Sequence, residues 1–320
     1  MAGQRNLDET TITEAVVEQL ANTPNPRLKQ IMTLLVRHLH EFAREVNLTE
    51  DEWFQGIEFL TRTGHMCSDK RQEFILLSDT LGLSQLVVAQ NHRRAPEATE
   101  QTILGPFHID GAKTQPDGAD IAAGVPGDPL FVTAQVTAVD GEPIADATVD
   151  VWHADADGYY DLQDPNWNPD VMKLRAVFTT DRNGRFRFRS IMPCAYPVPT
   201  DGPVGEMLAA TNRNAMRPAH IHFRVRAPGY DTLITHVFVA GDEWLESDAV
   251  FGVRNSCVAN FIRHDAGAAM PDGGTAPGPF YTLDYTFRLQ PVRGVTCGSS
   301  RRLISRSRRI YEIMRQERSV

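Results

Sequence analysis

The chain predicts an α+β protein, with a helical N-terminal region followed by an antiparallel β-sandwich. Three observations carry that expectation. Apolar residues recur at helical spacing through the first hundred positions, alternate with polar ones after Pro129, and the alternating segments are short and punctuated by Gly, Pro, Asn and Asp. Helices first and strands afterwards is the order that separates α+β from α/β folds. With 320 residues, 42% of them hydrophobic, the chain can bury a sizeable core.

Pro26 sits where a first-turn proline belongs, and Leu28, Ile31, Leu35, Leu39, Phe42 and Val46 follow as one helical stripe. Thr49 with Glu52 is a capping-box pattern, opening a helix through Trp53, Ile57 and Leu60 that stops near Gly64. Ser68 is the expected cap of a third helix carrying Phe74, Ile75, Leu76 and Leu77, with Gly82 beyond its end. His38 and His40 have no partner four residues on and read as surface. From Ala95 to Gly127 the composition turns to Pro, Gly and Asp around one apolar island, Ile103 to His108, which suggests a connector laid over the next unit.

Strands are expected at Phe131–Val139 and Thr148–Trp152, either side of a turn at Asp140-Gly141. Arg175–Thr180 and Arg185–Ser190 flank Asn183-Gly184, a hairpin signal. Ala219–Val225, Thr232–Val239 and Pro279–Leu289 complete the set. The expected division is residues 1–100 helical, 101–128 connector, 129–298 sandwich and 299–320 a basic tail.

The net charge of −9 argues against nucleic acid as a partner, because phosphate binding needs a basic surface. Residues 301–320 hold seven Arg and two Glu (+5), so the rest of the chain carries −14 (−9 − 5). In that tail Leu303, Ile310, Ile313 and Met314 could share one helix face, against the plainer alternative of a solvated appendage. There is no signal-peptide pattern, no run of 18 apolar residues, and no CxxC among Cys67, Cys194, Cys257 and Cys297. The expectation is a cytoplasmic protein without membrane attachment, disulfide framework or thiolate metal site.

The chemistry gathers on the Ala219–Val225 strand. Its alternation puts Ile221, Phe223 and Val225 on a core face and His220, His222 and Arg224 on the other. Two imidazoles at i and i+2 on a strand can reach one metal ion, although the same pair also serves as plain polar surface. Upstream, Val149 to Asp161 (VDVWHADADGYYD) runs from a strand into a loop presenting Tyr159 and Tyr160. Ile191 to Pro203 (IMPCAYPVPTDGP) holds Tyr196 between prolines that fix its backbone. Zinc takes Cys, His or carboxylate, and ferrous oxygenases take two His and a carboxylate. Phenolate is a hard anion that favours a trivalent ion. Two Tyr and two His around Fe(III) leave a net charge near +1 and open positions for water or substrate. Such a centre resists reduction and suits activation of an organic substrate.

The two tyrosine-bearing segments, with RPAHIHF at Arg217 to Phe223, resemble the intradiol ring-cleaving dioxygenases: the catechol, chlorocatechol and hydroxyquinol 1,2-dioxygenases. The resemblance covers roughly residues 25 to 290. It implies one Fe(III) per subunit held by Tyr160, Tyr196, His220 and His222, with Tyr159 as a wall residue. It further implies that Arg217 lies beside the substrate ring and that Tyr196 leaves the ion to take a proton when the diol binds. The reaction implied is cleavage by O2 between two hydroxylated carbons, giving a muconate-type diacid. The pocket implied is Leu76, Asp79, Ile103, Leu104, Gly105, Pro106, Phe107, Val198, Pro199 and Val250, with Arg217.

Asp79 lies three residues after Leu76, so both can face one way from a helix. A carboxylate facing plain catechol would lose hydration without a partner, and a third ring hydroxyl would supply one. The LLSDTLG and YPVPTDGPVGEML segments also resemble the hydroxyquinol branch. Hydroxyquinol (1,2,4-trihydroxybenzene) is therefore the expected substrate, with catechol or chlorocatechol as the alternative. Two other classes remain: a non-catalytic transthyretin-like binding module, which has no use for the quartet, and a zinc hydrolase, which lacks an evident third ligand. The family implies homodimers through the N-terminal helices, some with a lipid between subunits. His153 reads as structural. His236 sits where the catechol branch often shows Gln, and no role is assigned to it.

Overall fold

The alternation after Pro129 becomes two five-stranded sheets. In the computed structural model, residues 5–68, 71–122 and 124–292 are described. The chain divides into two compact units, Met1–Met66 and Cys67–Val320. The tail helix anticipated at Leu303 to Met314 lies outside the described residues.

The first unit holds α1 (Ile12–Gln19), α2 (Pro26–Glu45) and α3 (Glu50–His65). Asn25 caps α2 by accepting from the backbone N–H groups of Arg27 and Leu28, with Pro26 in the first turn. Thr49 and Glu52 form the expected capping box of α3. Arg44 fastens α2 to the α1 segment by donating to the Glu9 carbonyl and the Thr13 hydroxyl. His40 is not free surface, since its Nδ1 meets Thr13 Oγ1 at 2.9 Å. The α2 stripe from Leu28 to Val46 stands exposed within this unit, as do Trp53, Phe54, Ile57 and Leu60 of α3.

The second unit opens with α4 (Glu73–Thr80) and α5 (Leu83–Asn91). Ser68 does not cap α4, which begins after Gln72; its hydroxyl instead accepts from Arg71 N at 3.1 Å. One sheet has the order β1 (Ala119–Asp120), β5 (Arg185–Ile191), β2 (Pro129–Ala138), β12 (Phe280–Leu289), β11 (Ile262–His264). The other runs β10 (Val258–Ala259), β9 (Leu233–Val239), β8 (His220–Arg226), β3 (Thr148–Trp152), β4 (Arg175–Thr179). A two-stranded piece pairs β6 (Tyr196–Pro197) with β7 (Met216–Arg217), and α6 (Pro203–Ala210) lies between them in sequence.

The sheets are mixed, which corrects the antiparallel expectation. β2 and β12 run parallel over their length, as do the short pairs β1–β5 and β9–β10. Parallel pairing is possible here because long intervening chain, not a hairpin, separates the partners. Asn183-Gly184 also makes no hairpin: β4 pairs with β3 in one sheet and β5 with β2 in the other. The turn carries the chain across the core between sheets.

Both sheets share one core. Ile221, Phe223 and Val225 of β8 lie in it with Val149 and Val151, and Leu130, Val132, Phe186, Phe188 and Phe287 enter from the other sheet. No described helix is long and apolar enough to cross a membrane. Phe223 is 1% exposed at the centre of this core. Phe223→Ala should therefore lower unfolding stability by about 3–5 kcal/mol, read as a lower urea midpoint with an unchanged slope.

Candidate metal centre

The face of β8 turned away from the core presents His220 and His222, which are 1% and 2% exposed. Their neighbours follow from the register. Trp152 lies opposite His222 across the β3 ladder and stacks on it, with centroids 4.8 Å apart and planes 14° from parallel. On the other side β9 sets His236 against His222 and Phe238 against His220. His220 Nδ1–H donates to the Pro218 carbonyl at 2.6 Å, so its Nε2 lone pair faces the site. Gly105 rests on the far edge of His222. Its φ of +76° suits glycine, and a Cβ there would stand 3.3 Å from the His222 ring.

Each tyrosine is fixed by a separate device. Asp161, directly after Tyr160, is buried against Arg175, with Nη2 to Oδ1 at 2.6 Å. Arg175 Nη1 also donates to the Phe107 carbonyl at 2.9 Å, and the Phe107 ring stacks on Tyr160 at 4.4 Å. Tyr196 is held on β6, where it pairs with Arg217 of β7. Tyr159 is 60% exposed, so it is no wall of this site, and the inward tyrosine of the pair is Tyr160.

Four donor atoms converge. The Tyr160 hydroxyl lies 2.8 Å from that of Tyr196 and 2.7 Å from His222 Nε2. Tyr196 Oη lies 3.3 Å from His220 Nε2, and the two Nε2 atoms are 3.2 Å apart. Ligands about 2 Å from one ion have such separations. Burial pushes the Tyr160 phenol well above its usual range, reinforced by Tyr196; burial also raises Tyr196, against the pull of Arg217. Burial, then Arg217, pushes His220 well below its ordinary value; burial, then His236, does the same to His222. The cluster on its own is thus neutral, with phenols protonated and imidazoles uncharged. A strongly charged cation displaces the phenolic protons and satisfies all four atoms, so the donor set fits a trivalent metal.

His236 was the residue without a role. Its Nδ1 meets Thr102 Oγ1 at 2.5 Å, its Nε2 is buried without a partner among the described residues, and its ring centroid is 4.2 Å from that of His222. Nitrogens of His220, His222 and His236 all lie within 4.8 Å of one another. A third histidine does stand beside the HxH pair, which corrects the expectation of none. The phenolic oxygens are nevertheless closer to the two Nε2 atoms than that span.

The substrate-wall residues are brought together in part. A hollow of about 370 Å³ is lined by Leu76, Pro106, Phe107 and Pro199, with Arg71, Glu73 and Leu162. Asp79, Ile103, Val198, Arg217 and Val250 are buried outside that lining, and Leu104 packs with Trp152, Tyr160 and Tyr196. A separate hollow of about 440 Å³, against Asp155, Tyr159 and Trp167, meets the donor set only at Tyr160. Burial lifts the Asp79 carboxyl to about 6, opposed by Ser84 and Arg217.

Sequence reading missed Arg175, Asp248 and Glu73. Asp248 accepts from Arg217 Nε at 3.2 Å. Glu73, fully buried, takes Arg71 at 2.9 Å and the Val204 N–H at the start of α6 at 3.2 Å. Apart from Arg71, two residues before Glu73, their partners stand well away in the chain, where no local pattern reports them.

Residues 103–291 match the family described as Dioxygenase, and residues 25–99 the one described as Catechol dioxygenase N terminus. The chain belongs to the intradiol ring-cleaving dioxygenase family. It is 54% identical to the 6-chlorohydroxyquinol 1,2-dioxygenase of Cupriavidus pinatubonensis, over 89% of this chain and 98% of that protein. It is 46% identical to the hydroxyquinol 1,2-dioxygenase of Nocardioides simplex, over 91% and 99%. The solved hydroxyquinol 1,2-dioxygenase of Pseudomonas putida DLL-E4 is similar at a TM-score of 0.82 and 46% identity, covering 88% of this chain and 98% of that one.

Two outcomes follow. Arg175→Ala strands a buried Asp161 carboxylate and should cost about 3–5 kcal/mol in urea unfolding. Because the folded-state Asp79 pKa of about 6 lies above its ordinary 3.8, folding favours the protonated acid. Stability should fall as pH rises from about 4 to 6, and Asp79→Asn should remove that fall, gaining about 3 kcal/mol above pH 7 and nothing below pH 3.

Proposed function

We propose that the chain is a non-haem Fe(III) intradiol dioxygenase that cleaves hydroxyquinol with O2 to a hydroxymuconate, the tautomer of maleylacetate. The convergence of Tyr160, Tyr196, His220 and His222 on one point carries the proposal. The names of the relatives, hydroxyquinol and 6-chlorohydroxyquinol dioxygenases, support the substrate.

The four residues would hold the iron. When bound, Fe(III) supplies a positive centre that keeps a catechol-type diol deprotonated and its ring electron-rich toward O2. Tyr196 has the role of acceptor for a diol proton at its Oη, since burial raises that phenol's pKa and the neutral form is the stable one away from a cation. Arg217 keeps Nη2 without a partner among the described residues, leaving it to balance negative charge that develops on the ring. Leu76, Pro106, Phe107 and Pro199 exclude water from the ring's approach. Asp79, buried and within the field of Arg217, accepts from the third hydroxyl.

The proposed layout has the two sheets as a catalytic sandwich, residues 101–128 as its connector, and residues 1–100 serving dimerisation. The exposed apolar stripes of α2 and α3 support a second copy as their cover, with room for a lipid chain between copies. The compartment proposed is the cytoplasm. The three-imidazole grouping is the one observation that favours zinc instead, and metal analysis of the purified protein separates the two.

Hydroxyquinol and O2 should be consumed one to one, with the ring-opened diacid as the product. In Asp79→Ala, kcat/KM for hydroxyquinol should fall roughly 10- to 100-fold while catechol turnover survives. Equal losses for both diols would sink the assignment of Asp79.

A further inference from the structure

Arg217 is sealed in the interior, 4% exposed, and its guanidinium has divided duties. Nε donates to Asp248 Oδ1 at 3.2 Å, Nη1 lies 3.2 Å from His220 Nε2, and Nη2 has no partner among the described residues. The Asp248 side chain, itself 2% exposed, commits its remaining contacts to one short segment. Oδ1 also accepts from Val250 N at 3.3 Å, and Oδ2 accepts from Gly252 N at 2.8 Å. Gly252 closes the arrangement from behind: a Cβ at that position would stand 3.0 Å from Asp248 Oδ2 and 3.1 Å from Arg217 Nη2.

A guanidinium on a flexible stem loses rotamer freedom when fixed, so something has to hold it. Asp79, also buried, feels the charges of both Arg217 and Asp248. Backbone pairing sets where the side chain starts, because Arg217 is opposite Tyr196 in the β6–β7 ladder. The carboxylate of Asp248 sets where it ends.

We infer that Asp248 is a positioning residue for the proposed ring cleavage. It fixes the Arg217 guanidinium at Nε, with Nη1 turned to His220, and locks the same geometry into the 250–252 segment that carries Val250. The inference rests on the dioxygenase reading and deepens it. Asp248 acts only through Arg217, whose Nη2 it leaves uncommitted.

The test is a double-mutant cycle on the iron-loaded protein, using single turnovers of the diol that the wild type cleaves. Asp248→Asn keeps the shape but cannot accept at both oxygens. It should lower kcat about a hundredfold, with KM, iron content and the tyrosinate absorption unchanged. In an Arg217→Gln background the same substitution should change kcat less than about threefold, because the residue it positions is gone. Gly252→Ala, which presses on the pair and removes no charge, should show the same dependence on Arg217 and covers the case of a poorly folded Asp248 variant. Losses that multiply across the two backgrounds would overturn the inference and make Asp248 a purely structural residue. A wild type that cleaves no diol is a different failure, that of the dioxygenase reading itself.

Discussion

Strand β8 meets two demands with one backbone. Its odd-numbered side chains, Ile221, Phe223 and Val225, are nearly fully buried in the core between the sheets. Its even-numbered ones include both histidines of the donor set. A slip of one residue would send the imidazoles into that core and the apolar residues into the site, so the packing that stabilises the sheets also fixes the chemistry. The ladder on one side stacks Trp152 on His222, and the ladder on the other brings His236 against it. The histidines are therefore set by the most cooperative part of the fold, and the tyrosines have to be delivered to them by loops.

Those loops are held by buried ion pairs. Arg175–Asp161 fixes the segment after Tyr160 and, through the Phe107 carbonyl, the wall that stacks on it. Arg217–Asp248 fixes the 250–252 segment, and buried Glu73, paired with the partly exposed Arg71, ties the start of α4 to the start of α6. Desolvating such pairs costs several kcal/mol per ion, which offsets most of their mutual attraction. Apolar residues of similar volume would serve stability as well. What the charges supply is direction: a fork of N–H donors with defined angles, and a large penalty for any arrangement that leaves one charge alone.

The local rules read much of this architecture from the sequence. Alternation placed Thr148–Trp152 and the HxH strand within a residue or two, and Thr49 with Glu52 marked the start of α3. Pairing was less legible. Asn183-Gly184 is a good turn whichever sheets its flanking strands join, so it could not reveal that the chain changes sheets there. Parallel β2–β12 pairing, between segments about 150 residues apart, leaves no local trace at all. In the site the residue types and the family motifs pointed to Tyr160, Tyr196, His220 and His222, and the structure brings these together. The sequence left His236 without a role and did not reveal Asp248 or Arg175, because a buried charge and its partner are chosen by three-dimensional neighbourhood, and each alone looks like an ordinary polar residue.

The central claim is that two phenolates and two imidazoles hold one ferric ion. Metal analysis combined with a visible spectrum of the purified protein, and of Tyr160→Phe and Tyr196→Phe, tests it most directly. A ferric donor set gives about one iron per chain and a visible tyrosinate charge-transfer band. The band moves to longer wavelength on anaerobic addition of hydroxyquinol and weakens in each single variant. A colourless protein that binds one zinc through His220, His222 and His236 and takes up no iron would contradict the claim.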